Sequence, residues 1–166
     1  MHTIAIGIGY MKTVILGGVA AGMSAASKIK RVDPRVDVVV YEKRGFLSYG
    51  ACGLPYYVGG FNDDFRRMIA RTEETFHSMG IETHLHTEAV AADFPRREIT
   101  LRNENGNEFK EKYDKLLIAT GAESVVPPIP GREKNGVHVL KSLEDGIFLR
   151  EIGFDPSVQN VVIVGG

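Results

Sequence analysis

Apolar residues come in short unbroken runs near the start of this chain and in looser alternation further on. Residues 13–16 form a short run closed by glycine, the pattern of a strand buried on both faces of a parallel sheet. Residues 23–31 predict a helix, with Ala25 and Ala26 small enough to pack closely on a sheet and Asp33-Pro34 as its stop. Residues 36–41 predict a second buried strand that ends at Glu42. Together these make a βαβ unit of about 30 residues. Residues 44–60 are glycine-rich and irregular, apart from a short helix starting near Cys52. Residues 65–79 predict a helix stopped by Gly80. From Ile81 the pattern turns to strands, with 88–93, 98–102 and 107–113 as short strands and Asn105-Gly106 as a hairpin turn. Residues 116–119 return to a buried strand ending in Thr120-Gly121, 126–131 are a proline-rich turn, and 143–152 predict a last helix. Residues 160–164 predict a strand running into Gly165-Gly166, a repeat of the opening Val14-Ile15-Leu16-Gly17-Gly18. The predicted class is α/β, a parallel sheet with an inserted antiparallel β-meander.

Length and charge narrow the picture. A chain of 166 residues suffices for one domain with a real core. A formal net charge of -1 points to no nucleic-acid or membrane partner. No apolar run approaches the roughly 20 residues of a membrane span, and the start, MHTIAIGIGY, lacks the basic stretch of a secretory leader. Met11, followed by Lys12 and a strand-like run, reads as the native start, with residues 1–10 as an upstream extension; the alternative is an extra edge strand. The 19 glycines cluster in short loops, which suggests backbone approaching a ligand. The single cysteine excludes an intrachain disulfide and suits a reducing cytoplasm.

Two places carry chemistry. The first is Gly17-Gly18-Val19-Ala20-Ala21-Gly22, between a predicted strand and a predicted helix. Backbone N–H groups at such a helix start point at a pyrophosphate, and the helix dipole favours its charge. Gly17 permits a tight turn and Gly22 close packing of helix on strand, whereas Val19 replaces the usual middle glycine. Glu42, about 20 residues on at the end of the second strand, stands where dinucleotide folds place a carboxylate for a ribose. The second place is Ser48-Tyr49-Gly50-Ala51-Cys52-Gly53-Leu54-Pro55-Tyr56. A thiol among small residues at a helix start is a setting for thiol–disulfide exchange; the alternative is a buried structural cysteine. Lys28 and Arg31 share a helix face and could meet phosphates, or form a solvated basic helix end. His84 and His86 alternate on a strand without further ligands, so no metal site is expected.

These motifs, with Tyr113-Asp114-Lys115-Leu116-Leu117-Ile118-Ala119-Thr120-Gly121 and Pro127-Pro128-Ile129-Pro130-Gly131, resemble the pyridine nucleotide-disulfide oxidoreductases over residues 13–166. The lone cysteine resembles the single-cysteine branch: coenzyme A-disulfide reductase, NADH oxidase and NADH peroxidase. The resemblance implies a Rossmann-like FAD-binding domain over 11–156 and the first strand of an NAD(P)-binding domain over 157–166. It implies FAD held by Gly17, Gly18, Val19, Ala20, Ala21, Gly22, Glu42, Lys43, Ser48, Val90, Ala119, Thr120, Gly121 and Lys141. It implies Cys52 as the catalytic thiol, NADH or NADPH as reductant, and coenzyme A contacts at Ser24, Lys28, Arg31, Ser48 and Ala51. The implied enzyme is a cytoplasmic homodimer reducing a small-molecule disulfide, with an oxidase or peroxidase, or an inert flavin-binding module, as alternatives.

Overall fold

Strands β1 (Lys12–Leu16) and β2 (Asp37–Tyr41) have no polar face to show to water: after its first residue, each is buried throughout, as unbroken apolar runs require. This holds in a computed structural model of the chain, which describes residues 10–165. The two expectations for residues 1–10 therefore fall on positions 1–9 outside the described residues, apart from Tyr10. Among the described residues, five strands follow: β3 (Ile81–His84), β4 (Thr87–Asp93), β5 (Glu98–Asn103), β6 (Glu108–Lys112) and β7 (Lys115–Ile118). The helices are α1 (Ala20–Val32), α2 (Leu54–Val58), α3 (Glu73–Ser78) and α4 (Leu143–Gly153). The chain divides into two units: Met1–Ser48 with Arg71–Gly121, and Tyr49–Ala70 with Ala122–Gly166.

The first unit is built on a parallel sheet in the order β3-β2-β1-β7. Thr13 lies opposite Val38 on one side and Lys115 on the other. Side chains of a strand alternate between faces, and here the two faces are covered differently. Ile15, Val38 and Val40 pack with Met23 and Ala26 of α1 and Phe76 of α3. Val14, Leu16, Val39 and Tyr41 pack with Ile99 and Leu101 of the antiparallel sheet β4-β5-β6. Ile15, Phe76, Ile99 and Leu101 are fully buried, each contributing on the order of 1.5–3 kcal/mol. The α/β class with an inserted meander is the observed fold.

Helix α1 begins three residues before the expected position 23, because Val19 takes the cap position without any side-chain hydrogen bond; the sequence offers no Ser, Thr or Asp cap there to mark it. Residues 65–79 are not one helix. A 3-10 turn at Phe65–Met68 gives way to an extended Ile69 bridged to Tyr49. A new helix starts only at Thr72, whose hydroxyl accepts from the Thr75 N–H. Gly80, at φ 74°, ends it as expected.

The second unit contains α2, α4 and the extended segments around them. Ser142 and Asp145 form a reciprocal cap at the start of α4, placing that helix within a residue of the expected range. Residues 160–164 form no strand: Val161, Val162, Ile163 and Val164 are exposed, and no strand lies beside them among the described residues. An apolar run becomes a strand only against a partner ladder.

Candidate dinucleotide loop and thiol

In the first unit, three glycines of the loop are required by space. Gly17 has φ 104°, and a Cβ there would stand 2.2 Å from the Ala119 carbonyl oxygen. A Cβ at Gly18 would meet the Leu47 side chain at 2.2 Å, and one at Gly22 would meet the Gly17 carbonyl oxygen at 1.8 Å. The loop and the first turn of α1 thus run backbone against backbone. Val19, in the place of the usual middle glycine, has φ -97°, so a β-branched residue sits there without left-handed strain. Ala20 and Ala21 are exposed at a helix start that no side chain caps. Helix N-termini of this kind bind anions through their orphaned N–H groups.

Glu42 is buried at the end of β2, and both of its carboxylate oxygens are engaged by backbone. Oε2 accepts from the Gly18 N–H at 2.7 Å, and Oε1 from the Arg44 N–H at 2.8 Å. The side chain thereby ties the glycine loop to the second strand. Each oxygen keeps a further lone pair for a ligand hydroxyl. Ser48 belongs to the same cluster: it has φ 49°, and its N–H donates to the Gly18 carbonyl at 2.9 Å. Ala119 closes the cluster on the β7 side, its N–H donating to the Leu16 carbonyl, with Thr120 exposed and Gly121 at φ 71°. The pairing of β4 with β5 shifts register between Ala89 and Ala91 and skips Val90, so this backbone lies outside the ladder, as in a bulge. Lys43 is exposed and lines a cavity of about 430 Å³ with Arg44, His86, Glu88 and Arg102. Ser24, Lys28 and Arg31 are all exposed along α1.

Removing the Glu42 carboxylate should leave the Gly18 and Arg44 N–H groups without their acceptor. Glu42→Ala is therefore expected to weaken dinucleotide binding by about 1–3 kcal/mol. Titration of the purified protein with the cofactor measures this, and an unchanged affinity would remove Glu42 from the site.

In the second unit, Cys52 is an exposed free thiol within a 3-10 turn at Ala51–Gly53, and α2 begins directly after it. This matches the expected setting and excludes a buried structural cysteine. The segment enters through the Tyr49–Ile69 bridge and a Gly50 N–H bond to the Met68 carbonyl at 2.8 Å. Leu54 and Tyr57 are the buried residues of α2. At Gly146 of α4 a Cβ would approach the Leu54 side chain to 2.7 Å. Lys141 is exposed, its N–H donating to Asp145 at the start of α4. Arg150 donates to the carbonyls of Tyr57 and Asn62. Neither Arg150 nor the Arg44 amide is revealed by the sequence pattern, since each acts on backbone groups brought near only by folding.

His84 and His86 do not share a strand face. His84 stacks on Tyr41 and pairs with Glu82 at 2.7 Å, while His86 sits in the turn after β3 at φ 50°. Among the described residues no group of three His, Cys, Asp or Glu side chains could hold a metal ion, and no helix is long and apolar enough to cross a membrane.

Residues 11–166 match the family described as pyridine nucleotide-disulphide oxidoreductase. The chain is 39% identical over 155 residues, 93% of its length, to an NAD(P)H coenzyme A polysulfide/persulfide reductase of Pyrococcus horikoshii, covering 34% of that protein. It is 33% identical over 156 residues, again 93% of its length, to a coenzyme A disulfide reductase of Staphylococcus aureus, covering 35% of it. The chain thus spans about one third of the length of these relatives. Its fold superposes on the water-forming NADH oxidase of Lactobacillus brevis with a TM-score of 0.81 at 28% identity, covering 86% of this chain and 32% of the other. The family match across nearly the whole chain, on a fold whose loop glycines have no room for a side chain, makes this chain a member of the pyridine nucleotide-disulphide oxidoreductases.

Proposed function

We infer that this chain is the FAD-holding, thiol-bearing part of an NAD(P)H-dependent enzyme that reduces coenzyme A disulfide. The observation that carries this reading is the single exposed cysteine at the start of a short helix. With no second cysteine in the chain, its oxidised form must pair with an outside thiol or take an oxygen.

The residues present fit a flavin dinucleotide, because the glycine loop leads into the uncapped start of α1, beside a buried carboxylate that holds the Gly18 N–H. The loop Gly17 to Gly22 would hold its diphosphate through main-chain N–H groups from Val19 on, those of Gly17 and Gly18 being held by Tyr41 and Glu42, and Glu42 would hold a ribose hydroxyl. Lys43 and the backbone of Val90 would face the adenine, and Ser48, Ala119, Thr120, Gly121 and Lys141 would complete the site. Bound flavin supplies the means of moving two electrons from NADH or NADPH to sulfur. Cys52, as thiolate, attacks one sulfur of the coenzyme A disulfide; the S–S bond breaks, one coenzyme A leaves as thiolate, and the other stays joined to Cys52. Two electrons and a proton then release the second thiol and restore Cys52. Ser24, Lys28, Arg31, Ser48 and Ala51 would hold coenzyme A, with Lys28 and Arg31 meeting its phosphates. An exposed free thiol suits a reducing cytoplasm, and the enzyme is taken to be a homodimer.

A second reading, an NADH oxidase or peroxidase working through a Cys52 sulfenic acid, is favoured by the likeness to the L. brevis oxidase. A third is an inert flavin-binding module, which would hold flavin and pass no electrons to sulfur. Intact mass spectrometry of protein purified without reductant separates the first two. A reducible adduct with the mass of coenzyme A is the expected result. A gain of one oxygen favours the oxidase or peroxidase, and an unmodified thiol after exposure to either oxidant overturns both.

A further inference from the structure

A loop that presents a nucleophile needs its backbone held by groups that are themselves locked. The Cys52 segment is held at its entry by the Tyr49–Ile69 bridge and the Gly50–Met68 hydrogen bond. Its exit has no such bridge among the described residues. There α2 has only five residues, too few to be stable alone, and it is closed by backbone bonds from the Gly59, Gly60 and Phe61 N–H groups to the Pro55, Tyr57 and Tyr56 carbonyls. Arg150 adds a side-chain donor to this end of the segment. One guanidinium nitrogen bonds the Tyr57 carbonyl in α2 and, at 2.9 Å, the Asn62 carbonyl beyond it. The guanidinium carbon lies 4.9 Å from the centre of the Tyr57 ring and 5.0 Å from that of Phe154. Four residues earlier on the same helix face, Gly146 gives Leu54 room to lie against α4. Helix α4 therefore meets α2 with a notch at its start and a cation at its end.

Resting on the reading of Cys52 as the redox thiol, we propose that Arg150 is a positioning residue for it. Arg150 fixes the exit of the Cys52 segment as the Tyr49–Ile69 bridge fixes its entry, and so holds the thiol-bearing turn in one geometry. Arginine suits this place because its flat, permanently charged head can donate in two directions while stacking between two rings. Lysine can reach the carbonyls but has no plane to stack.

The test compares Arg150→Ala and Arg150→Lys in the full-length, FAD-loaded enzyme, with amide hydrogen exchange as a second readout. In Arg150→Ala, kcat for coenzyme A disulfide should fall about ten- to a hundredfold, the usual cost of a misplaced reacting group. NAD(P)H-driven reduction of ferricyanide, which needs no thiol, should be unchanged, as should KM for the nicotinamide. Amides 51–62 should exchange faster, while those of β1 and β2 should not. Arg150→Lys should recover part of the disulfide activity. Unchanged exchange at 51–62, or an equal loss of both activities with faster exchange throughout, would overturn the clamp. Disulfide turnover surviving Cys52→Ser would instead overturn the reading of Cys52, a result that the exchange data do not share.

Discussion

Cys52→Ser should abolish reduction of coenzyme A disulfide in the flavin-loaded enzyme, a loss on the order of a thousandfold or more, while slow consumption of NAD(P)H with oxygen continues. A hydroxyl cannot take the place of sulfur in disulfide exchange, and the chain has no other cysteine to substitute for it. The defect should lie in the chemistry and not in folding, because Cys52 is exposed and serine is close to it in size. Following NAD(P)H absorbance with and without the disulfide, at matched flavin content, measures both activities in one sample. A mutant that still reduces coenzyme A disulfide at the parent rate would sink the thiol mechanism.

Gly22→Ala should have the largest effect on the fold. The added methyl would stand 1.8 Å from the Gly17 carbonyl oxygen and 3.2 Å from Ile15. The nearer neighbour is backbone, and it belongs to the loop itself, so helix α1 must lift from β1 or the loop must shift. Overpacking of this kind costs about 3 kcal/mol or more, a large part of the 5–15 kcal/mol that is usual for a domain. Flavin binding should be lost with it, since the loop and the start of α1 would no longer keep their places. Gly153→Ala is the control: a Cβ there meets nothing within 4 Å, and its φ is not positive, so stability should change by less than about 1 kcal/mol. Urea unfolding and flavin titration of both variants give the comparison, and a stable, flavin-binding Gly22→Ala protein would contradict the close approach described above.

Elements fixed by local pattern were legible in the sequence. The unbroken apolar runs of β1 and β2 point to a covered parallel sheet, Asp33-Pro34 to a helix stop and Asn105-Gly106 to a hairpin turn. What escaped depends on partners distant in sequence. The 65–79 segment carries a helix-like pattern, but Ile69 takes extended backbone because Tyr49 is there to bridge it. The 160–164 run has strand composition but no ladder to join among the described residues. In the candidate site, the place of Glu42 at the end of the second strand was recognisable from its spacing beyond the glycines. That both of its oxygens already hold backbone N–H groups was not, since the Gly18 contact spans 24 positions. Arg150 left no trace at all: a single arginine on a helix looks like surface charge until the carbonyls of Tyr57 and Asn62, 93 and 88 positions away, are placed beside it.

The central strand carries a consequence for how the protein is made. Thr13 pairs with Lys115, so the open edge of β1 must wait while about a hundred residues leave the ribosome, roughly 5–20 s at common rates of synthesis. The hairpins of β4, β5 and β6 join neighbours in the chain and can close at once. Until β7 docks, the edge of β1 stands open to wrong partners, and the wall that Ala119 lends to Gly17 does not exist. Loading of the cofactor therefore belongs after the emergence of Gly121, and a slow or misdirected arrival of β7 would yield a folded-looking protein that stays colourless.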